Sequence, residues 1–205
     1  MSFMVSAPRN EGFEPLAEGV HVAVCYGLYD LGTHYSQKWE KSSRQVLVCW
    51  EIPAERCEIG GEDLPRAISK KVTLSLHPKS GLYKLLVAWR GKPFTAEELA
   101  GFDLKAVLGA SCQLQVLHYD KDGEKKHYVE NVMSLPKGAA KPKPENALQY
   151  FCFDDSGPIP DGTPEWIANI IKESAEYKGR NADAGAPADD DDDPPPMLSD
   201  QDIPF

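Results

Sequence analysis

The sequence predicts a mainly β domain with a helical insertion and a long acidic tail. Three observations carry that prediction. Apolar residues recur at a spacing of two in five separate stretches, the mark of half-buried strands. Between the third and fourth stretches the period changes to i, i+3, i+4 and i+7 over Leu82, Leu85, Leu86 and Trp89. The segment from Ala182 to Phe205 holds eight Asp and no Lys or Arg.

The first 17 residues, with Pro8, Gly12 and Pro15, read as an arm or leading strand. From Val20, Val22, Val24, Tyr26 and Leu28 alternate with more polar neighbours and predict the first strand. The polar stretch Gly32–Ser43 reads as a loop carrying Tyr35, Lys38, Trp39 and Lys41. A second strand is predicted over about Arg44–Ile52, with Val46, Val48, Trp50 and Ile52 on one face, and Pro53–Pro65 as a turn-rich connection. Ile68, Val72, Leu74 and Leu76 mark the third strand, whose other face presents Lys71, Thr73 and Ser75; Lys70 falls on the apolar side.

Ser80 is placed to cap the helix that Gly91 ends, and Thr95 with Glu98 has capping-box spacing for a second short helix. Phe102–Gly109 predicts one further turn. The fourth and fifth strands are predicted near Ser111–Tyr119 and His127–Leu135, joined by a hairpin centred on Asp122-Gly123. Three strands, a helical insertion and a two-strand hairpin is the element order of an OB-fold, a five-stranded Greek-key barrel. Such barrels bind oligonucleotides on the strand 2–3 face and on the loops joining strands 1–2 and 4–5. Residues 1–136 are read as that domain.

Residues 137–178 read as a linker and an amphipathic extension. Lys137–Pro144 is basic and proline-spaced, Tyr150–Phe153 is an apolar patch, and Thr163 is placed to cap a helix opened by Pro164. Trp166, Ile167, Ile170 and Ile171 form its apolar stripe, whether it packs within the subunit or across a homo-oligomer. Residues 179–205 lack the apolar content to order themselves and read as a disordered tail.

The net charge of −10 conceals a division. The tail carries −8, whereas Val20–Lys143 carries 18 basic against 14 acidic residues and Lys70–Lys143 carries 13 against 7. Phosphate responds to the local field, so the core is suited to nucleic acid despite the acidic total. Basic loops with aromatics suit a single strand, because bases stack on Tyr and Trp within a basic groove. The DNA-binding candidates are therefore Tyr35, Lys38, Trp39, Lys41 and Arg44 around the first loop, Lys71 and Thr73 on the third strand, and Tyr119, Lys125, Lys126 and Tyr128 around the second loop. Trp50 and Trp89 lie on apolar faces and are assigned to the core.

The chain closes with Asp189–Asp193, three prolines and Asp200-Gln201-Asp202-Ile203-Pro204-Phe205. This end resembles the C-terminal tip of bacterial single-stranded-DNA-binding proteins, an acidic stretch followed by Asp-Ile-Pro-Phe. Asp30–Thr33, Val48–Pro53 and Trp89–Phe94 also look like phage-encoded members of that group. The resemblance implies protection of single-stranded DNA in replication, recombination and repair. It also implies that Asp200, Asp202, Ile203, Pro204 and Phe205 recruit partner proteins, with Phe205 in an apolar pocket and basic residues on its carboxylate. The helical insertion and the helix near Trp166 depart from typical bacterial members. An adaptor whose OB-fold binds protein and not nucleic acid is the alternative.

No Walker loop, H-E-x-x-H or G-x-S-x-G is present, so an enzyme is not expected, and neither is a cofactor. His118 and His127 face each other across the predicted hairpin without the further ligands of a metal site. Cys25, Cys49, Cys57, Cys112 and Cys152 are odd in number and form no C-x-x-C pair, which argues for reduced packing residues. With no apolar run of membrane-spanning length and no signal-like N-terminus, the sequence reads as cytosolic.

Overall fold

The computed structural model describes residues 14–38, 40–155 and 157–183. It is a mainly β structure built on an antiparallel sheet, with strands β1 (Gly19–Ser36), β2 (Lys41–Ile59), β3 (Glu62–Thr73), β4 (Ser111–Lys121) and β5 (Glu124–Met133) in the order β3-β2-β1-β4-β5. A short β6 (Gln149–Phe151) adds in parallel to β1 at Gly27–Tyr29. The helices are α1 (Gly81–Arg90), α2 (Ala96–Ala100), α3 (Glu165–Glu173) and α4 (Ala175–Asp183).

The first three strands are longer than their sequence pattern suggests. Gly32–Ser43 is not a loop: β1 and β2 pair through Ser36 opposite Lys41, leaving a tight turn. Pro53–Pro65 is likewise mostly strand, paired out to Ile59 opposite Glu62 around Gly60-Gly61. Polar residues conceal much of both extensions, since strands pair through their backbones whatever side chains they carry. The β4–β5 hairpin turns at Asp122-Gly123, as the sequence predicts. Both residues have positive φ, 54° and 79°, the left-handed geometry that a two-residue turn requires and that Asp and Gly tolerate best.

β1 also corrects the expected facing. Ala23 and Cys25 are buried in the core, while Val20 is 55% exposed. A bulge between Cys25 and Gly27 then shifts the parity by one residue, so Leu28 joins them inside and Tyr26 turns outward. One extra residue in a strand exchanges its two faces.

The helical insertion follows its local signals. The Ser80 hydroxyl accepts from Tyr83 N, and Gly91, at φ 67°, donates to Val87 O. Thr95 and Glu98 form the reciprocal capping box. These caps are worth about 1 kcal/mol each. Leu82, Leu85, Leu86 and Trp89 of α1 pack with Trp50, Ile52, Leu114 and Val132 into one cluster on the inner side of the sheet. Trp50 and Trp89 lie with ring centroids 5.8 Å apart, and Trp89 Nε1 donates to Ser111 O at 3.1 Å.

The edge strands β3 and β5 approach each other through Lys70. Its ammonium donates to Val129 O at 2.7 Å and Glu130 O at 2.8 Å. Burial holds its pKa below the usual lysine value, with Glu130 opposing the shift.

A second apolar cluster lies on the outer face of β1 and β2. Tyr29, Leu31, Leu47 and Cys49 are covered by Phe151, Phe153, Ile167 and Ile171. Three carboxylates pin this layer. Buried Glu51 accepts from Glu145 N at 2.5 Å and from Asn146 N and Nδ2 at 2.9 and 2.6 Å. Buried Asp30 accepts from Phe153 N at 3.3 Å, and Glu176 accepts from Thr33 N and Oγ1, both at 2.6 Å. Gly32 is required here: it has φ 75°, and a Cβ on it would come within 2.5 Å of the Ser174 side chain. Thr163 does not cap α3; its hydroxyl donates to Pro160 O at 2.7 Å. Past Gly179, where the sequence reads as unstructured, α4 continues to Asp183.

Candidate nucleic-acid interface

The β1–β2 and β4–β5 hairpins carry most of the sequence-derived candidates. At the β4–β5 turn, Leu117 pairs with Tyr128 and Tyr119 with Lys126, so Tyr119, Lys126 and Tyr128 share one face. The two tyrosine rings meet edge-on, with centroids 5.7 Å apart and an interplanar angle of 71°. Both remain open, Tyr119 at 46% and Tyr128 at 37% exposure. Lys126 pairs with Glu124, which raises the lysine pKa and lowers that of the carboxyl. Lys125 lies opposite Asp120 on the other face of the hairpin.

At the β1–β2 turn, Tyr35 is 63% exposed and pairs with Ser42. Lys38 lies in the turn and Lys41 opposite Ser36. Arg44 is engaged differently from the sequence expectation. Its guanidinium forms a two-pronged pair with Asp30 and reaches Asp154 at 3.1 Å. Hydrogen bonding to Asp30, partly opposed by burial, holds its pKa above the ordinary arginine value. Its charge is committed to anchoring the C-terminal layer.

Lys71 and Thr73 are exposed on the outer face of β3, opposite Leu47 and Gln45. The neighbouring outer face of β2 is closed, because Leu47 and Cys49 lie under the C-terminal layer and Glu51 is fully buried. The open surface is therefore narrower than a whole strand 2–3 face: it is β3 together with the hairpin ends. Trp39, Asp200, Asp202, Ile203, Pro204 and Phe205 lie outside the described residues.

Sequence reasoning missed a trough beside β3. One depression of about 370 Å³ is lined by Tyr26, Cys49, Ser69, Pro164 and Trp166 among others. A second, of about 330 Å³, adjoins it through Tyr26, Ala67 and His127 and extends to Arg66 and Ile59. Trp166 is 51% exposed, off the buried stripe of Ile167 and Ile171 to which the sequence assigned it. The spacing alone does not separate the two: Trp166 and Ile167 lie about 100° apart on the helix, and a stripe at Trp166, Ile167, Ile170 and Ile171 fits either edge as its buried side.

The histidines serve the backbone. His118 and His127 pair across β4 and β5; His118 Nε2 lies 2.7 Å from Leu16 O, and Leu16 N donates to His127 Nδ1 at 3.3 Å. Burial, then Arg66 and His118, lowers the His127 pKa. Among the described residues no group of three or more His, Cys, Asp or Glu is placed to hold a metal ion. The five cysteines are unpaired thiols; burial pushes Cys49 up to about 12 and raises Cys25 and Cys112 further. No described helix is long and apolar enough to cross a membrane. Neither a protein-family model nor a curated protein sequence matches this chain.

Proposed function

We propose that this chain binds single-stranded DNA with little sequence preference, on an OB-fold barrel, and recruits partner proteins through its acidic C-terminal tip. The strand order, the helical insertion between β3 and β4, and the Lys70 bridge between the edge strands support the barrel reading. The observation that carries the binding reading is the pair of hairpin ends, each presenting exposed tyrosine beside lysine, with Lys71 and Thr73 on the open strand. Tyrosine faces accept any base, worth about 1–3 kcal/mol per stacked base, and lysines follow the phosphates.

The tip reading rests on sequence. An apolar Ile-Pro-Phe after an acidic run has no solubilising purpose, whereas one aromatic anchor with flanking charge suits weak, reversible recruitment. The acidic tail also competes with DNA for the basic face in this proposal.

The test is a titration with fluorescein-labelled oligo(dT) at low and moderate salt, using the full chain and a chain stopped before Ala182. Saturable binding that weakens with salt, is absent for duplex DNA and tightens on truncation is the expected result. No binding by either chain overturns the proposal and favours a protein-binding adaptor. A preference for RNA of the same sequence would move the assignment to an RNA-binding module.

A further inference from the structure

The aromatic candidates above come from the hairpins, but the trough beside β3 has an aromatic wall of its own. We infer that this trough receives an unstacked base of the bound strand, with Trp166 of α3 stacking on it and Tyr26 backing it. The inference rests on the single-strand reading and assigns a contact to the C-terminal extension, not to the barrel.

Four features of the molecule point to that occupant. Tyr26 and Trp166 line the same depression from different elements, and about 370 Å³ is enough for a planar heterocycle. Trp166 keeps half its surface open beside a helix that buries Ile167 and Ile171, so its ring is not needed for docking α3. Ser69 supplies a polar side chain on the same wall, next to Lys71 on the outer face of β3. At the adjoining end, Arg66 donates to the carbonyl of Glu14, and among the described residues it forms no ion pair, which suits it to a phosphate. Aromatic walls with a cation at one end match a nucleotide better than an apolar peptide, which needs no cation.

The test compares the full-length chain with Trp166→Ala and Trp166→Phe. Affinity for fluorescein-labelled oligo(dT) is measured across a salt series, with melting temperature as a check on folding. Trp166→Ala is expected to weaken binding about 5- to 150-fold while leaving the slope of log K against log salt unchanged, since a stacked base releases no counterion. Trp166→Phe restores most of the affinity. Unaltered affinity for Trp166→Ala, while the native chain binds, overturns this inference and leaves the single-strand reading standing. Failure of the native chain to bind removes both.

A second readout needs no variant. N-bromosuccinimide oxidation mapped by mass spectrometry is expected to modify Trp166 in the free protein and spare it once oligo(dT) is bound. Equal oxidation in both states contradicts the inference.

Discussion

β1 and β2 are covered on both faces, and the two coverings are built differently. The inner face packs against β4, β5 and α1, of which β4 is itself paired along β1 and α1 carries its own caps. The outer face is covered by the C-terminal layer, whose described residues make one short strand pairing to the sheet, at β6. Polar contacts to carboxylates hold that outer layer, at buried Glu51 and Asp30 and at partly buried Glu176. An apolar cluster alone is non-directional. The carboxylates fix where the layer docks, and so leave β3 open while β2 is closed.

Variants on the two faces sharpen this contrast. The largest effect is expected on the inner face: Trp50→Ala removes a fully buried ring and should cost about 3–5 kcal/mol, read as an earlier global transition in urea. Next comes Asp30→Ala, which leaves the partly buried Arg44 with the exposed Asp154 in place of its two-pronged partner and frees Gly32 N and Phe153 N. About 3 kcal/mol is expected, with residues 145–183 becoming protease-sensitive before the sheet. If both variants melt all regions together, the two faces are one cooperative unit and the contrast fails. Glu176→Gln, which weakens the two contacts from Thr33, should cost about 1–2 kcal/mol and raise hydrogen exchange in α4 first.

The smallest effect is one of pH. His127 has a folded pKa below its ordinary 6.5, so the unfolded chain binds the proton more tightly. Its contribution is present in full above about 6.5 and is lost as pH falls through the folded value. Protonated Nδ1 no longer accepts from Leu16 N. Melting temperature measured from pH 7.5 to 5 should fall less steeply in His127→Gln than in the native chain. Parallel curves would remove His127 from the account.

The inner face was readable because its signals are local and periodic. Alternation marked Val46, Val48, Trp50 and Ile52, and helical spacing marked α1 with both its caps. The outer face was legible in part, in the unbroken apolar run from Val46 to Trp50 that marks a strand buried on both sides. Alternation alone accounted for Val46, Val48 and Trp50 of that run and left Leu47 and Cys49 unexplained. Nothing local announces the bulge at Tyr26, nor that Arg44 meets Asp154 across more than a hundred residues. Of the candidate contacts, the exposed tyrosines were legible because polar neighbours surround them. Trp166 was not, because a tryptophan beside isoleucines reads as core until the helix is docked and one face is seen to remain open.

The central claim is that single-stranded DNA lies across the open face of β3 and the hairpin ends, beside the C-terminal layer and not beneath it. Photo-crosslinking of the full chain to 5-iodouracil-substituted oligo(dT), mapped by mass spectrometry, tests it most directly. Crosslinks at Tyr35, Tyr119, Tyr128 and Trp166 are predicted, with none at buried Tyr29, Phe151 or Phe153. Crosslinks confined to α1 and α2, or to the residues under the C-terminal layer, would contradict the account.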